Sequence, residues 1–213
     1  MDRLCRLLWF AYLGLHVTTG DHVANTCTEN GINVFGCQGV RIEAQTNSRV
    51  EIDILNTTRV NRRTINIEFE FKTNSSNGVI LYGKMQDKKN MIAFFLTNGK
   101  MNYRHFCTSM NSEMSLLKCN DDRWHKLTFT GYYRNKLFTT IMTIDAYRQN
   151  LAKSADCEPL TKIEFGMYPI ANRDYSHPWM LKTNVSEFEG CIRRLKLPGR
   201  FTSRPKYFFV SGC

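Results

Sequence analysis

Hydrophobic and polar residues alternate along much of the chain with a period of two, which is the period of a β-strand that buries one face. The clearest stretch is TINIEFEFK at residues 64–72. In it, isoleucine and phenylalanine occupy every second position, and asparagine or glutamate fill the positions between. The alternation predicts a half-buried strand over this whole length.

Asparagine–glycine pairs divide the alternating stretches. Asn77-Gly78 precedes VILYG, and Asn98-Gly99 lies in the middle of NMIAFFLTNGKMNYRHF. Such pairs suit the tight turns of β-hairpins because both residues tolerate a positive φ. We therefore expect a strand on either side of each pair, and a further hairpin around Arg134-Asn135.

Helical patterning is nearly absent after residue 20, and only EMSLLK at residues 113–118 suggests a short turn of helix. About a dozen short strands separated by turns predict an all-β domain, an antiparallel β-sandwich of jelly-roll type. Neither an internal repeat nor a proline-rich linker divides residues 39–213, so we expect a single domain there.

The segment FEGCIRRLKLPG at residues 188–199 departs from simple alternation. Ile192 and Leu195 are three residues apart, so they share a face only if a β-bulge lies between them. Whether Arg193 and Arg194 then lie together is open, and a continuous anion site at this segment is a prediction.

The first twenty residues have the layout of a secretory signal peptide. Arg3 and Arg6 precede an apolar run, and small residues follow as far as Gly20. The run is shorter than the roughly 20 residues that a membrane-spanning helix needs. We expect residues 1–20 to be removed and the protein to be secreted.

Seven cysteines remain after this removal, and in an oxidising compartment most of them should pair. Residues 21–38 are polar and rich in turn residues, and they contain Cys27 and Cys37. We interpret them as a short lead-in stapled by a Cys27–Cys37 disulfide. No two cysteines have the CxxC spacing of a zinc or redox site, which argues against a metal bound by thiolates.

Three Asn-X-Ser/Thr sequons support a secreted surface, because this motif is the acceptor of N-linked glycans. Each sequon marks an expected exposed loop. The predicted glycosylation sites are Asn56, Asn74 and Asn184.

The formal net charge of +10 favours acidic partners, and a secretory leader argues against nucleic acid among them. Closely spaced cations suit sulfated glycans, and arginine binds such anions through paired hydrogen bonds. The alternative is a solvated basic surface, since neighbouring side chains of a strand point to opposite faces. The predicted anion-binding residues are Arg193, Arg194, Lys196, Arg200, Arg204 and Lys206.

Signals of catalysis are weak. His125 falls on the same side of a predicted strand as Leu127 and Phe129, which indicates a packed or hydrogen-bonded sheet histidine. Cys191 has no base at a recognisable spacing, so a disulfide is its default interpretation. The acidic residues lack the arrangement of paired glycosidase carboxylates. We expect no catalytic residue and no enzyme activity.

Four segments, in this order, resemble landmarks of the laminin G-like (LNS) domain family found in laminins, neurexins and agrin. The resemblance covers about residues 39–213 and implies a concanavalin-like sandwich of two curved sheets. The segments are INIEFEFKTNSSNGVILYG (65–83), NMIAFFLTNGKMNYRH (90–105), DDRWHKLTFT (121–130) and FEGCIRRLKL (188–197).

The resemblance also implies that the cysteine of GCI, here Cys191, pairs with one at the end of the domain, here Cys213. Cys107 and Cys119 are not part of the family pattern. They flank one connection and would staple it if the strand ends place their Cα atoms about 5–6 Å apart. Cys157 is then left over, either for a disulfide to a partner chain or as a buried free thiol.

Many members of the family bind calcium at one rim, and the candidate ligands here are Asp87, Asn90 and Asp174. Asn90 stands where the family has an acidic residue, and the loss of a carboxylate weakens a calcium site. We therefore expect no cofactor, with calcium as the alternative.

The resemblance implies a secreted, non-catalytic recognition or adhesion module. Its partner would be an extracellular or cell-surface protein, or heparan sulfate or another sulfated glycan. Two alternatives stay open: a carrier that holds a small lipophilic ligand inside the sandwich, and a secreted glycan hydrolase on a concanavalin-like sandwich.

Overall fold

A computed structural model describes residues 31–44, 47–54, 64–85, 91–107, 110–134, 137–155, 160–166, 186–197 and 204–213. Within these ranges, no helix is long and apolar enough to cross a bilayer. The predicted leader, residues 1–20, lies outside them.

The described strands are β1 (Val40–Ile42), β2 (Arg49–Asp53), β3 (Thr64–Lys72), β4 (Gly78–Met85), β5 (Met91–Thr97), β6 (Lys100–Cys107), β7 (Met110–Lys118), β8 (His125–Arg134), β9 (Leu137–Ile144), β10 (Tyr147–Ala155), β11 (Leu160–Phe165), β12 (Gly190–Lys196), β13 (Lys206–Phe208) and β14 (Ser211–Gly212).

Two seven-stranded antiparallel sheets pack face to face. The first sheet has the order β10-β9-β8-β3-β12-β1-β14, and the second has the order β13-β2-β11-β4-β5-β6-β7. Because many neighbours in a sheet are distant in sequence, the chain passes repeatedly from one sheet to the other, as in a jelly roll. The predicted fold class, an all-β antiparallel sandwich, is confirmed.

The alternating stretch at residues 64–72 forms β3 along its whole predicted length. Its isoleucine and phenylalanine side chains are at most 9% exposed, whereas Asn66 between them is exposed. β3 pairs with β8 in an unbroken register from Thr64 opposite Tyr132 to Phe71 opposite His125. The period of two thus reflects one face in the core and one face towards solvent, and the strand order makes β3 the central strand of the first sheet.

The hairpin predicted around Asn98-Gly99 is also confirmed, as β5 and β6. Both turn residues have positive φ, 52° for Asn98 and 76° for Gly99. A Cβ atom on residue 99 would collide with the side chain of Asn120. Glycine therefore fits here both for its backbone conformation and for the close approach of the next loop.

The suggestion of a helical turn at residues 113–118 is wrong. These residues belong to β7, which forms the edge of the second sheet and pairs with β6. The residues are good helix formers, but the hydrogen bonds of the hairpin outweigh that local preference.

Aromatic rings fill the space between the sheets. Phe69 and Phe129 come from the first sheet, and Phe94, Tyr103 and Phe165 come from the second. The Phe69 and Phe165 ring centroids are 5.3 Å apart, as are those of Phe94 and Phe129. Tyr103 lies 5.2 Å from Phe129. These contacts between rings of the two sheets hold the sandwich together.

Candidate functional site

Cys191 and Cys213 form a disulfide, with their Cα atoms 6.0 Å apart. Cys191 is only 2% exposed and lies in β12, so a thiolate nucleophile at this position is excluded. The bond ties β12 to the residues that follow β14, on the far side of β1 in the same sheet. The predicted pairing is confirmed, and it has a structural role.

β12 contains a β-bulge, the feature that would let Ile192 and Leu195 share a face. The register of β12 against β3 shifts between Arg193 and Lys196, and Arg194 has a φ of 52°. As a result, Ile192 and Leu195 both face the core, at 0% and 3% exposure. The backbone of residues 33–39 packs against the bulge and accepts hydrogen bonds from Arg194 and Leu195.

The bulge brings the guanidinium groups of Arg193 and Arg194 together on one carboxylate. Arg193 Nε lies 2.7 Å from Glu70 Oε2, and Arg194 Nη1 lies 3.0 Å from Glu70 Oε1. Arg193 also stacks on Trp124, with 3.8 Å between its guanidinium carbon and the ring centroid. Burial opposes ionisation of Glu70, but the hydrogen bonds from both arginines outweigh it and lower its pKa.

The remaining residues predicted to bind anions do not form one surface. Lys196 pairs with Glu68 at 2.9 Å, in the first sheet. Lys206 pairs with Asp53 at 3.5 Å, in the second sheet. Arg204 is exposed, and Arg200 lies outside the described residues. Carboxylates thus already engage four of the six cations, so an anion site formed by this set would have to compete with internal ion pairs.

The predicted Cys107–Cys119 staple is wrong. Cys107 opposes Met110 at one end of the β6–β7 hairpin, whereas Lys100 opposes Lys118, next to Cys119, at the other end. Seven residues of strand separate these ends by about 23 Å, and a disulfide needs Cα atoms about 4.4–6.8 Å apart. Cys119 is a buried free thiol whose pKa is raised to about 12, chiefly by burial.

The other cysteine predictions fall partly outside the described residues. Cys37 is disulfide-bonded. Its predicted partner, Cys27, lies outside the described residues, so that pairing stays a prediction. Cys157 lies outside them as well, and its fate stays open.

Loops at one end of the sandwich are joined by backbone hydrogen bonds into a continuous surface, which we call the loop rim: residues 73–77, 97–100, 118–125 and 145–147. The backbone NH of Gly99 donates to the carbonyl of Ser76 at 2.7 Å, and that of Asp122 donates to Thr73 at 3.0 Å. Cys119 donates to Gly99 at 2.9 Å. Side chains on this rim therefore have a fixed backbone beneath them.

Three exposed cations of the loop rim, Lys100, Lys118 and Arg123, form what we call the cationic rim. Lys100 and Lys118 are direct cross-strand partners in β6 and β7. The buried side chains of their neighbours Met101 and Cys119 face the core, so both lysines point to the outer face of the second sheet. The ion pairs found among the described residues include none of the three.

Sequence reasoning missed the cationic rim because its members come from two loops that are separated in sequence. The Asn98-Gly99 turn could have placed Lys100 at the end of a hairpin. The residues of the partner strand, however, have good helix propensity, and the β6–β7 register shifts between Lys100 and Asn102. No pattern in the sequence predicted that Lys100 and Lys118 would lie opposite each other.

His125 bridges two acidic residues at the same rim. Its Nδ1 lies 2.8 Å from Asp145 Oδ2, and its Nε2 lies 2.8 Å from Asp121 Oδ1. Burial opposes its protonation, but these two hydrogen bonds outweigh it and raise the pKa of His125. Asp145 Oδ1 also accepts a hydrogen bond from the backbone NH of Lys126. The expected hydrogen-bonded sheet histidine is confirmed, and it anchors the β9–β10 turn to the loop before β8.

Other predicted sites are only partly described. Asn74 is exposed on the loop rim, whereas Asn56 and Asn184 lie outside the described residues. The candidate calcium ligands Asp87, Asn90 and Asp174 also lie outside. Among the residues that are described, no three histidine, cysteine or acidic side chains are placed to hold a metal ion together.

Comparison with known proteins gives a consistent result. A family model described as the laminin G domain matches residues 71–200. Domains LG4-5 of the mouse laminin alpha1 chain superimpose with a TM-score of 0.66 and 17% identity, over 88% of this chain and 49% of that chain. The LG1-3 region of the laminin alpha2 chain gives 0.59 and 18%, over 84% and 35%. The binding domain of botulinum neurotoxin serotype D gives 0.53 and 12%, over 81% and 41%. The chain thus covers half or less of each of these structures.

Proposed function

Since the chain belongs to the laminin G domain family, we propose that it is an extracellular, non-catalytic binding module that recognises a sulfated glycan through the cationic rim. The family is generally non-catalytic, and its homologues are extracellular. The signal-peptide pattern and the Cys191–Cys213 disulfide support export to an oxidising compartment.

The observation that carries this proposal is the position of Lys100 opposite Lys118. Like charges placed directly across a strand pair destabilise a sheet. No carboxylate of the described residues forms an ion pair with either lysine, unlike Lys196 and Lys206. A bound anion would relieve the repulsion, so this pair is better suited to an external ligand than the paired cations elsewhere.

A sulfated glycan fits the cationic rim better than a single small anion. Arg123 lies on the neighbouring loop, held to residue 73 through the backbone of Asp122. The cations are therefore spread along an edge of fixed backbone, and a linear polymer with repeated sulfates can contact several of them at once. Binding of this kind weakens with added salt, because exposed charges are screened.

The test is retention on immobilised heparin in a salt gradient. We expect the double variant K100Q/K118Q to bind heparin about tenfold more weakly than the unmodified protein, which is about 1.4 kcal/mol. The matched control is K196Q/K206Q, which removes the same charge from two lysines that have carboxylate partners. Equal losses in the two variants would show that binding reports only net charge and would refute the proposal.

A protein partner is the second candidate, and Tyr147 favours it. Tyr147 is 49% exposed on the loop rim and precedes Arg148, which is exposed as well. Tyrosine and arginine are over-represented among the residues that dominate binding between proteins. In pull-downs from extracellular matrix at two salt concentrations, Y147A should lose a protein that the unmodified chain retains at both. Identical retention by Y147A would count against this candidate.

The two remaining alternatives have less support. A carrier needs space between the sheets, and aromatic side chains fill the described part of that interior. A hydrolase needs two available carboxylates. Among the described residues, Asp121 and Asp145 are bound to the two ring nitrogens of His125, and Glu51 and Glu164 both pair with Lys162.

A further inference from the structure

The short loop at residues 73–77 lies at the centre of the loop rim and is tied down at both ends. Thr73 is buried, and its Oγ1 donates to the carbonyl oxygen of Glu189 at 2.6 Å, just before β12. The same hydroxyl accepts a hydrogen bond from the backbone NH of Ser75 at 2.9 Å. Asn74, between them, is exposed. The loop is thus fixed while the side chain of Asn74 is free to carry a substituent.

Hydrogen bonds place this loop between the two loops that carry the cationic rim. Through Ser76 it meets the turn that precedes Lys100, and the Asn120 amide also donates to Ser76 Oγ at 3.3 Å. Through Thr73 it meets Asp122, the neighbour of Arg123. Asn74 therefore lies within one or two residues of backbone contacts to both parts of the cationic rim.

We propose that Asn74 carries an N-linked glycan that covers the cationic rim and limits access to it. This proposal rests on the proposed function for its biological meaning, but not for its test. Asn74-Ser75-Ser76 is an acceptor sequon, with serine rather than proline in the middle position. The structure adds that the acceptor is exposed and lies on the rim that the proposed ligand would use.

The chemistry is a transfer from a lipid diphosphate-linked oligosaccharide, the general donor of the secretory pathway. Nδ2 of Asn74 forms a bond to the anomeric carbon of the first sugar as the bond from that carbon to the phosphate oxygen breaks. The amide gives up one proton, and the lipid diphosphate leaves with the electron pair. No redox change occurs.

A glycan at this position would act by its bulk. It is a large, hydrated, branched polymer attached beside Lys100, Lys118 and Arg123, so it would hinder a second polymer from reaching them. Lys196 is also exposed but lies in β12, outside the loop rim, and should be unaffected. Occupancy of a single sequon would then determine how much of the protein can bind.

The first test is peptide mapping of the full chain secreted from eukaryotic cells. Enzymatic release of N-glycans in heavy-oxygen water converts each occupied asparagine to a labelled aspartate. We expect the label at Asn74 in the protein with its own sequence and in S76T, which keeps the sequon. We expect no label at Asn74 in S76A, which lacks the sequon. An unlabelled Asn74 in the secreted protein would overturn the proposal.

The second test measures access without any glycan ligand. A bulky amine-reactive reagent should modify Lys100 and Lys118 several-fold more slowly in the glycosylated protein than in N74Q, with Lys196 as the internal reference. Equal rates in the two proteins would refute the covering role even if Asn74 is occupied. Because neither test uses heparin, a failure of heparin binding would count against the proposed function alone.

Discussion

Glu70 shows how a single side chain can decide whether a cluster of bases is available to a ligand. Its carboxylate binds Arg193 and Arg194, and its side chain is only 15% exposed. The two arginines therefore satisfy an internal anion that lies 123 residues away from Arg193 in sequence. The first two bases after Cys191 therefore stabilise the fold by pairing β12 with Glu70 of β3.

Replacing Glu70 with glutamine should lower the free energy of unfolding at pH 7 by about 1–2 kcal/mol, because two partly buried guanidinium groups lose their counter-charge. Urea unfolding measures this. Glu43, whose side chain is 52% exposed, gives the matched control E43Q, for which we expect a change within about 0.5 kcal/mol.

The same variant should have a pH signature. The pKa of Glu70 is lowered in the fold, so its stabilisation is present above the ordinary glutamate pKa and is lost as the pH falls through the lowered value. The difference between E70Q and the unmodified protein should therefore shrink in acid. A difference that is constant with pH would show that lost packing, and not lost charge, explains the effect.

At the scale of elements, the sequence predicts a strand best where the strand has one solvent-exposed face and one buried face. β3 is such a strand, and its period of two was sufficient to predict its extent. The β12 bulge was also predictable, since Ile192 and Leu195 could reach the same core only if the alternation shifted between them. These predictions depend on local chemistry, which a single sequence contains.

β7 could not be predicted in this way. Its residues have good helix propensity, and only pairing with β6 makes the segment a strand. The same missing information hid the cationic rim, since the register of β6 against β7 is what brings Lys100 beside Lys118. The same gap explains the wrong Cys107–Cys119 staple. The residues between these cysteines include the whole of β7, which carries the chain from one end of the β6–β7 hairpin to the other.

At the scale of the whole molecule, two buried histidines affect the stability of the fold in opposite ways as the pH changes. Burial lowers the pKa of His105 to about 4, and no hydrogen bond reaches either of its ring nitrogens in the described structure. Its neutral form is favoured in the fold, so its contribution is full above the ordinary histidine pKa and is lost as the pH falls towards 4. The raised pKa of His125 has the reverse effect: its contribution is present below the ordinary pKa and is lost as the pH rises through the raised value.

Unfolding free energies at pH 7 and pH 5 test this balance. Between pH 7 and pH 5, protonation of His105 in the unfolded chain, but not in the fold, lowers the free energy of unfolding of the unsubstituted protein. H105L lacks this effect, so its free energy of unfolding should rise relative to that protein by up to about 2 kcal/mol over the same change. H125N should lose stability relative to the unmodified protein over the same change. Parallel pH profiles for all three proteins would contradict both assignments.

The disulfide between Cys191 and Cys213 determines where tension would act on this domain. The covalent loop that it closes contains β13, which belongs to the second sheet, and β14, which belongs to the first. A pulling force applied at Cys213 therefore passes directly to Cys191 in β12, which is hydrogen-bonded to β3 in the interior of the first sheet. The short strands β13 and β14 are bypassed and need not resist the force.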